Sequence, residues 1–196
     1  MLLRAAAPTS RGARAYVHRL PSFPPLRIVI PIIIEIVIMT AIGQVFAHAM
    51  KDGAFQLSLL PVRTASALCL GTCATRQPDV GTVRENRAFV PLVQRILAPV
   101  CHRDPGLMAS ATAVGEGFLH LVDERAPLVY GRTAEPEDIL LSVRADGGRI
   151  VEGSAQAAMA YRPWTLHGPM TLSPFLHARL LEGLHEMNGQ TPQSQL

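Results

Sequence analysis

Hydrophobic side chains are unevenly distributed along this chain, and their densest run lies near the N-terminus. Eight of the eleven isoleucines fall between Ile28 and Ile42, and the apolar run continues to Met50. A helix over residues 28–50 would be about 34 Å long at 1.5 Å per residue, enough to cross the roughly 30 Å hydrocarbon layer of a bilayer. The pattern therefore predicts a single transmembrane helix over residues 28–50.

Two residues within this run, Pro31 and Glu35, oppose a membrane span. A carboxylate near the middle of a bilayer helix costs on the order of 2.5–3.5 kcal/mol, whereas the Ile, Val and Phe side chains together contribute about −4 to −7 kcal/mol. Two alternatives stay open. The run is also typical of a buried strand in a soluble domain, since Ile and Val favour strands, and Ala47-His48-Ala49 resembles the cleavage site of a secretory signal.

One face of the predicted helix carries small and weakly polar residues. Thr40, Gly43, Gln44 and Ala47 follow one another at helical spacing. Bilayer helices approach each other closely through such faces. We therefore expect contacts with the lipid bilayer and with helices of other membrane proteins, unless these residues merely lie near the exit interface.

Beyond the apolar run, residues 54–189 contain enough chain for one small domain of the α+β class. Periodic apolar positions predict helices over Val62–Thr75 and Phe89–Val100. Ser173 as an N-cap, Pro174 at the first helical position and Gly189 as a stop predict a C-terminal amphipathic helix.

The remaining patterns of the domain predict a hairpin, an ambiguous segment and a tail. Ile139–Ala145 and Arg149–Ser154, joined through an Asp-Gly turn, are typical of a β-hairpin. Residues 107–130 fit either a helix or two short strands. We expect residues 190–196 to form a disordered tail.

Charge divides the chain at the end of the apolar run. Residues 1–53 carry a balance of +4 and residues 54–196 a balance of −1, so the domain offers no basic stripe and we expect no nucleic-acid partner. Residues 1–27 are Arg-rich and free of acids, which is typical of a mitochondrial transit segment or of the positive flank of a membrane helix. The positive-inside rule then places the C-terminal domain in the intermembrane space, at the inner membrane.

The three cysteines are the first candidates for chemistry. Cys69 and Cys73 would share one face of the predicted helix over 62–75, and Cys101 is followed by His102. These four side chains could form a zinc site or a redox-active thiol pair. The alternative is that the cysteines serve as small apolar residues.

Two further clusters have a chemical and a structural interpretation. Glu116, His120 and Glu124 have the spacing of metal ligands on a helix, but Gly115 and Gly117 weaken that helix, and a solvated face is the alternative. The run 161–164, Tyr-Arg-Pro-Trp, combines residue types that dominate protein interfaces, and it also fits a packed loop.

No catalytic or nucleotide-binding motif is present in the chain. We therefore expect no cofactor and a non-catalytic function: an accessory or scaffold component held at the mitochondrial inner membrane. The alternative is a membrane-tethered thiol-redox or metal-handling protein that uses Cys69, Cys73 and Cys101.

Overall fold

A computed structural model describes residues 36–39, 44–75, 78–125 and 134–190, and its described part is an α+β fold. This confirms the predicted class. The helices are α1 (Phe89–Leu97), α2 (Pro105–Val114) and α3 (Pro174–Gln190). The strands, in chain order, are β1 (Ile36–Met39), β2 (Gln44–Ala49), β3 (Phe55–Ser58), β4 (Gly71–Cys73), β5 (Val83–Glu85), β6 (Gly117–Val122), β7 (Ile139–Asp146), β8 (Arg149–Ile150), β9 (Gln156–Ala157), β10 (Trp164–Thr165) and β11 (Gly168–Pro169).

The described part of the apolar N-terminal run forms strands β1 and β2. The prediction of a helix over 28–50 is therefore wrong for residues 36–39 and 44–49. The two strands pair antiparallel, with Ile36 opposite Ala47 and Met39 opposite Gln44. β-Branched side chains pack well on a pleated surface, and here a second strand satisfies the backbone polar groups that a helix would satisfy internally. Among the described residues, none of the helices has the length and apolar character needed to span a bilayer.

The first five strands form one antiparallel sheet in the order β1-β2-β3-β4-β5. Each strand pairs with the next along the chain, so β5 lies at one end of the sheet. A second sheet has the order β6-β7-β8, and β9 also pairs with β7. The hairpin predicted over 139–154 is confirmed as β7 and β8, with Asp146 opposite Arg149.

Both sheets and the helices share one hydrophobic core. Helix α1 buries Phe89, Leu92, Val93 and Leu97. Of the four positions that its apolar periodicity predicts, Val93 and Leu97 are buried, whereas Val90 and Ile96 are only partly buried. Helix α3 buries three leucines one turn or so apart (Leu176, Leu180 and Leu184). The predictions of both helices are therefore confirmed, although the last six residues of the predicted tail, 191–196, lie outside the described part.

The hydroxyl of Ser173 links the starts of α2 and α3. The carboxylate of Asp104 caps α2 by accepting the N–H of Leu107 at 2.9 Å. Its other oxygen accepts the Ser173 hydroxyl at 2.5 Å, and Ser173 in turn accepts the N–H of Leu176 at 3.3 Å. Two sets of N-terminal N–H groups are thus satisfied by one pair of side chains.

Two other sequence-based expectations need correction or completion. The predicted helix over Val62–Thr75 is wrong: only a 3-10 turn, Ser66–Leu68, and then strand β4 occur there. The ambiguous segment 107–130 resolves into α2 followed by β6 over its described residues. The break falls at Gly115, whose φ of 77° suits a glycine at a helix C-terminus.

Strands β4 and β5 approach each other closely at Gly71. A Cβ atom at this position would lie 2.3 Å from the carbonyl oxygen of Arg84, a backbone atom that cannot move without moving β5. The register places Gly71 opposite Glu85. Only glycine therefore permits this pairing of the last strand with the sheet.

We expect Gly71→Ala to lower the free energy of unfolding by about 1–3 kcal/mol, because the added methyl group overpacks against backbone. Chemical denaturation measures the change. Gly81→Ala is the matched control, because a Cβ there meets no atom within 4 Å, and we expect a change within about 1 kcal/mol. Equal stability of the two variants would contradict the close approach at Gly71.

Candidate functional site

A polar groove lies between β5 with the start of α1 and the segment 157–162. Its volume is about 790 Å³, and it is open to solvent. Three arginines line it, Arg84 and Arg87 on one wall and Arg162 on the other. The site thus combines two edges of the fold that are far apart in sequence.

A buried charged cluster holds the second wall in place. The side chains of Arg125 and Asp123 are 1 % and 0 % exposed. The Arg125 Nε atom donates to Asp138 Oδ1 at 2.9 Å, and its Nε lies 3.7 Å from Asp123 Oδ2. Tyr161 completes the cluster by donating its hydroxyl to Asp123 Oδ2 at 2.8 Å. Buried charges of opposite sign are thereby paired and hydrogen-bonded.

Arg125 also bonds directly to the backbone of the groove wall. Its Nη2 atom donates to the carbonyl oxygens of Glu137 at 3.1 Å and Arg162 at 2.7 Å. Its guanidinium carbon lies 5.6 Å from the centre of the Tyr161 ring, within cation–π range. Gln94 of α1 ties down the same segment from the other side, donating to the carbonyl of Ala158 at 2.8 Å.

The side chain of Arg162 closes one end of the groove. Its Nε donates to Glu85 Oε1 of β5 at 3.0 Å, and its Nη1 lies 3.6 Å from Glu137 Oε2. The hydrogen bond to Glu85 raises the pKa of the Arg162 guanidinium, so this side chain stays charged. Arg162 links the two walls of the groove. Because two carboxylates neutralise its guanidinium, it adds no unpaired positive charge.

Burial sets the titration of the cluster. Desolvation raises the pKa of Asp123 above its ordinary value of 3.8, although Arg125 and the hydrogen bonds from Thr171 and Tyr161 act in the opposite direction. Burial, together with the charge of Asp123, also raises the pKa of Tyr161 well above its ordinary value. The Tyr161 hydroxyl therefore stays protonated and acts as a hydrogen-bond donor.

The residues that line the groove do not suit acid–base or nucleophilic chemistry. None of those in the described chain is a serine, cysteine, histidine or lysine. The one carboxylate, Glu85, is bonded to Arg162, and the phenol of Tyr161 is bonded to Asp123. What the groove does offer is cationic side chains and the Met159 side chain, which is fully exposed.

The three cysteines predicted to act together occupy separate settings and are free thiols. Cys73 lies on β4 and Cys69 precedes that strand, so the shared helical face is wrong. Cys69 donates to the carbonyl of Ser66 at 3.1 Å and Cys101 to that of Ala98 at 3.3 Å. All three are buried, and among the described residues no group of three metal-ligating side chains exists.

Their thiols differ in acidity. Burial raises the pKa of the Cys69 and Cys101 thiols. Burial acts in the same direction on Cys73, but hydrogen bonds with Thr75, with Thr82 and with the backbone of Asp79 outweigh it and lower its pKa.

The other candidate residues also lie apart from the groove. The His102 ring lies 4.0 Å from Glu152 and lines a second groove with α2 and the turn at Gly147. His120 lies on strand β6, so its set with Glu116 and Glu124 is not helical. The expected helix–helix contact is wrong for Gln44 and Ala47, which lie on β2, and its members Thr40 and Gly43 lie outside the described residues.

Sequence reasoning found one part of this site and missed the rest. Both interpretations of the run 161–164, a packed loop and an interface, apply to part of it. Tyr161 and Trp164 are buried, whereas Arg162 lines the groove. Asp123 and Arg125 were missed because the partners that bond to them from other segments lie 12 to 48 residues away in sequence. An Asp-x-Arg pair directly after an apolar strand was the available signal, but it is common on surfaces.

Comparisons with known proteins leave the site to be interpreted on its geometry. No protein-family model matches the chain, and no curated protein and no solved structure matches it either.

We expect the pH dependence of stability to report on Asp123. Because its pKa is raised on folding, the folded state binds this proton more tightly than the unfolded chain, so its contribution is present at low pH and is lost as pH rises through the folded pKa. The stability of the unmodified protein relative to Asp123→Asn should therefore grow as pH falls through the folded pKa towards the ordinary value of 3.8.

Urea denaturation of both proteins at several pH values measures this difference. Tyr161→Phe is the control: it keeps the titrating carboxyl but removes a hydrogen bond that lowers its pKa, so its profile should keep the pH dependence and extend it to higher pH. A constant difference between Asp123→Asn and the unmodified protein would contradict the raised pKa.

We expect Cys73 to be alkylated faster than Cys69 and Cys101 when local opening exposes these buried thiols, because its thiolate is the most populated of the three. Mass spectrometry after timed alkylation, with and without denaturant, resolves the sites. Three thiols should titrate in the unfolded chain, and elemental analysis should find no zinc. A disulfide or bound zinc would instead favour the redox or metal-handling alternative.

Proposed function

We propose that this protein is a non-catalytic accessory protein that binds a partner protein in the groove between β5 and the segment 157–162. The observation that carries the proposal is the construction of that groove. Its wall is tied to the core by Arg125 and Gln94, while its surface presents an exposed methionine and two guanidinium groups that pair with no carboxylate of the described residues. A pre-formed surface of this kind lowers the cost of ordering on binding.

Binding explains the residues of the groove better than catalysis does. Met and Arg are enriched at protein interfaces, and a nucleophile or a general base is what a hydrolytic or transfer enzyme requires. The side chains that line the groove include methionine and arginine, but they offer neither a nucleophile nor a general base. The open shape also suits a segment of protein chain more than an enclosed small molecule.

The proposed location is mitochondrial, and it rests on the N-terminal sequence alone. Residues 1–27 hold five arginines and no acid, which supports import. Attachment at the inner membrane and placement in the intermembrane space are part of the same proposal and rest on the apolar run 28–50, of which β1 and β2 form ten residues. Carbonate extraction with protease protection of mitochondria tests both.

Photo-crosslinking from Met159 tests the binding function. A photoreactive residue at Met159 in the full chain should give one specific crosslinked protein in isolated mitochondria. The same residue at Leu166 is the matched control, because Leu166 is 84 % exposed and does not line the groove. We expect no specific product from Leu166. Equal products from both positions, or none from Met159, would contradict the proposal.

A further inference from the structure

The positive charge of the groove has no counterpart within the part of the chain that the structure describes. Four charged side chains line it: Arg84, Glu85, Arg87 and Arg162. Glu85 is bonded to Arg162, and Arg162 also lies near Glu137. No carboxylate among the described residues pairs with Arg84 or Arg87, and both side chains are exposed. The unneutralised charge of the groove is therefore carried by these two.

Within the described residues, no strand pairs with the outer edge of β5, whose residues line the groove. β5 is the last strand of its sheet and pairs with β4. Asn86 donates its N–H to the carbonyl of Leu70 at 2.8 Å, which fixes the alternation of the ladder. Since alternate residues of a strand point their polar groups to opposite sides, the N–H and C=O of Glu85 point away from β4. They are available to a further strand.

The facing wall is similarly open. Met159 and Ala160 form the tip of the turn opposite β5, and their N–H and C=O groups make no hydrogen bond within the described residues. The anchors of this wall, the carbonyls of Ala158 and Arg162, lie on either side of that tip. An extended chain in the groove thus meets backbone donors and acceptors on two sides.

We propose that the groove binds an extended acidic segment of a partner protein, which adds to the edge of β5 as a strand and places its carboxylates against Arg84 and Arg87. This inference rests on the proposed function and specifies its partner. Addition of a strand to a sheet edge supplies main-chain hydrogen bonds, and alternate side chains supply specificity. Complementary charge steers the encounter and fixes the register.

The same cations do not make a nucleic-acid site. Single-stranded nucleic acid is held by aromatic side chains on which bases stack. The aromatic residue of the groove, Tyr161, is buried with its hydroxyl bonded to Asp123, so its ring is not available for stacking. Two arginines and a strand edge match a carboxylate-bearing peptide better than a phosphate backbone.

Synthetic peptides test the inference on the full-length protein. The probe is a fluorescent, end-blocked octapeptide of alternating glutamate and valine. Two comparison peptides have glutamine or lysine in place of each glutamate. Fluorescence anisotropy should show binding of the glutamate peptide only, weakened by added salt. N-methylation of its central amides should weaken binding about 2- to 10-fold, since it removes main-chain hydrogen bonds.

Arginine variants test whether the peptide binds in the groove. Arg84→Gln with Arg87→Gln should weaken binding of the glutamate peptide about 2- to 30-fold, because it removes both unpaired charges. Arg103→Gln with Arg149→Gln is the control, since both arginines are exposed and neither lines the groove. This control pair should bind like the unmodified protein, and thermal melts confirm that both pairs fold.

Each contrary result separates the inference from the proposed function. Equal binding of the glutamate and glutamine peptides would overturn the acidic partner, and an N-methylated peptide that binds unchanged would overturn strand addition. If no peptide binds while Met159 still crosslinks to one protein, the partner class is wrong and the binding function stands. Tighter binding of single-stranded RNA through Arg84 and Arg87 would also overturn the inference.

Discussion

The second half of the fold depends on the ion pairs and hydrogen bonds that the guanidinium of Arg125 makes. This guanidinium lies between two buried carboxylates, Asp123 and Asp138, and it bonds to the carbonyl groups of Glu137, beside Asp138, and of Arg162 in a further segment. Removing one partner from such a buried pair typically costs about 3–5 kcal/mol, because the remaining charge has no water to solvate it. The cluster therefore acts as a constraint: the chain must bring these segments together, or bury uncompensated charge.

This constraint extends from the core to the surface in three steps. Arg125 first holds the carbonyl group of Arg162 in place. The position of this backbone then determines where the Arg162 side chain starts. That side chain, in turn, bonds to Glu85 on the last strand of the other sheet. The exposed bond between Arg162 and Glu85 alone would be worth at most about 1 kcal/mol. Because the backbone of Arg162 is held by the buried side chain of Arg125, less entropy is lost when the Arg162 side chain forms this bond.

The sequence predicted the elements whose signals are local and failed where distant partners decide. Caps and apolar periodicity were sufficient for α1 and α3, and the Asp-Gly turn was sufficient for the hairpin of β7 and β8. The isoleucine-rich run has no such local marker, since its composition suits a bilayer helix and a buried strand equally. What decides its state is the pairing of β2 with both β1 and β3, a property of segments that no single window contains. The groove was beyond prediction for the same reason.

The charge of the domain shows why composition excludes less than it suggests. Residues 54–196 have a balance of −1, from which no cationic site would be expected. The structure pairs Arg162 with Glu85 and Glu137, and Arg125 with buried aspartates, so several charges of both signs are used internally. Arg84 and Arg87 then remain together at one sheet edge. Local potential depends on which charges are left unpaired and where they lie, because pairs a few ångströms apart cancel within a Debye length of about 8–10 Å. A nearly neutral domain can therefore present a cationic groove without any basic run in its sequence.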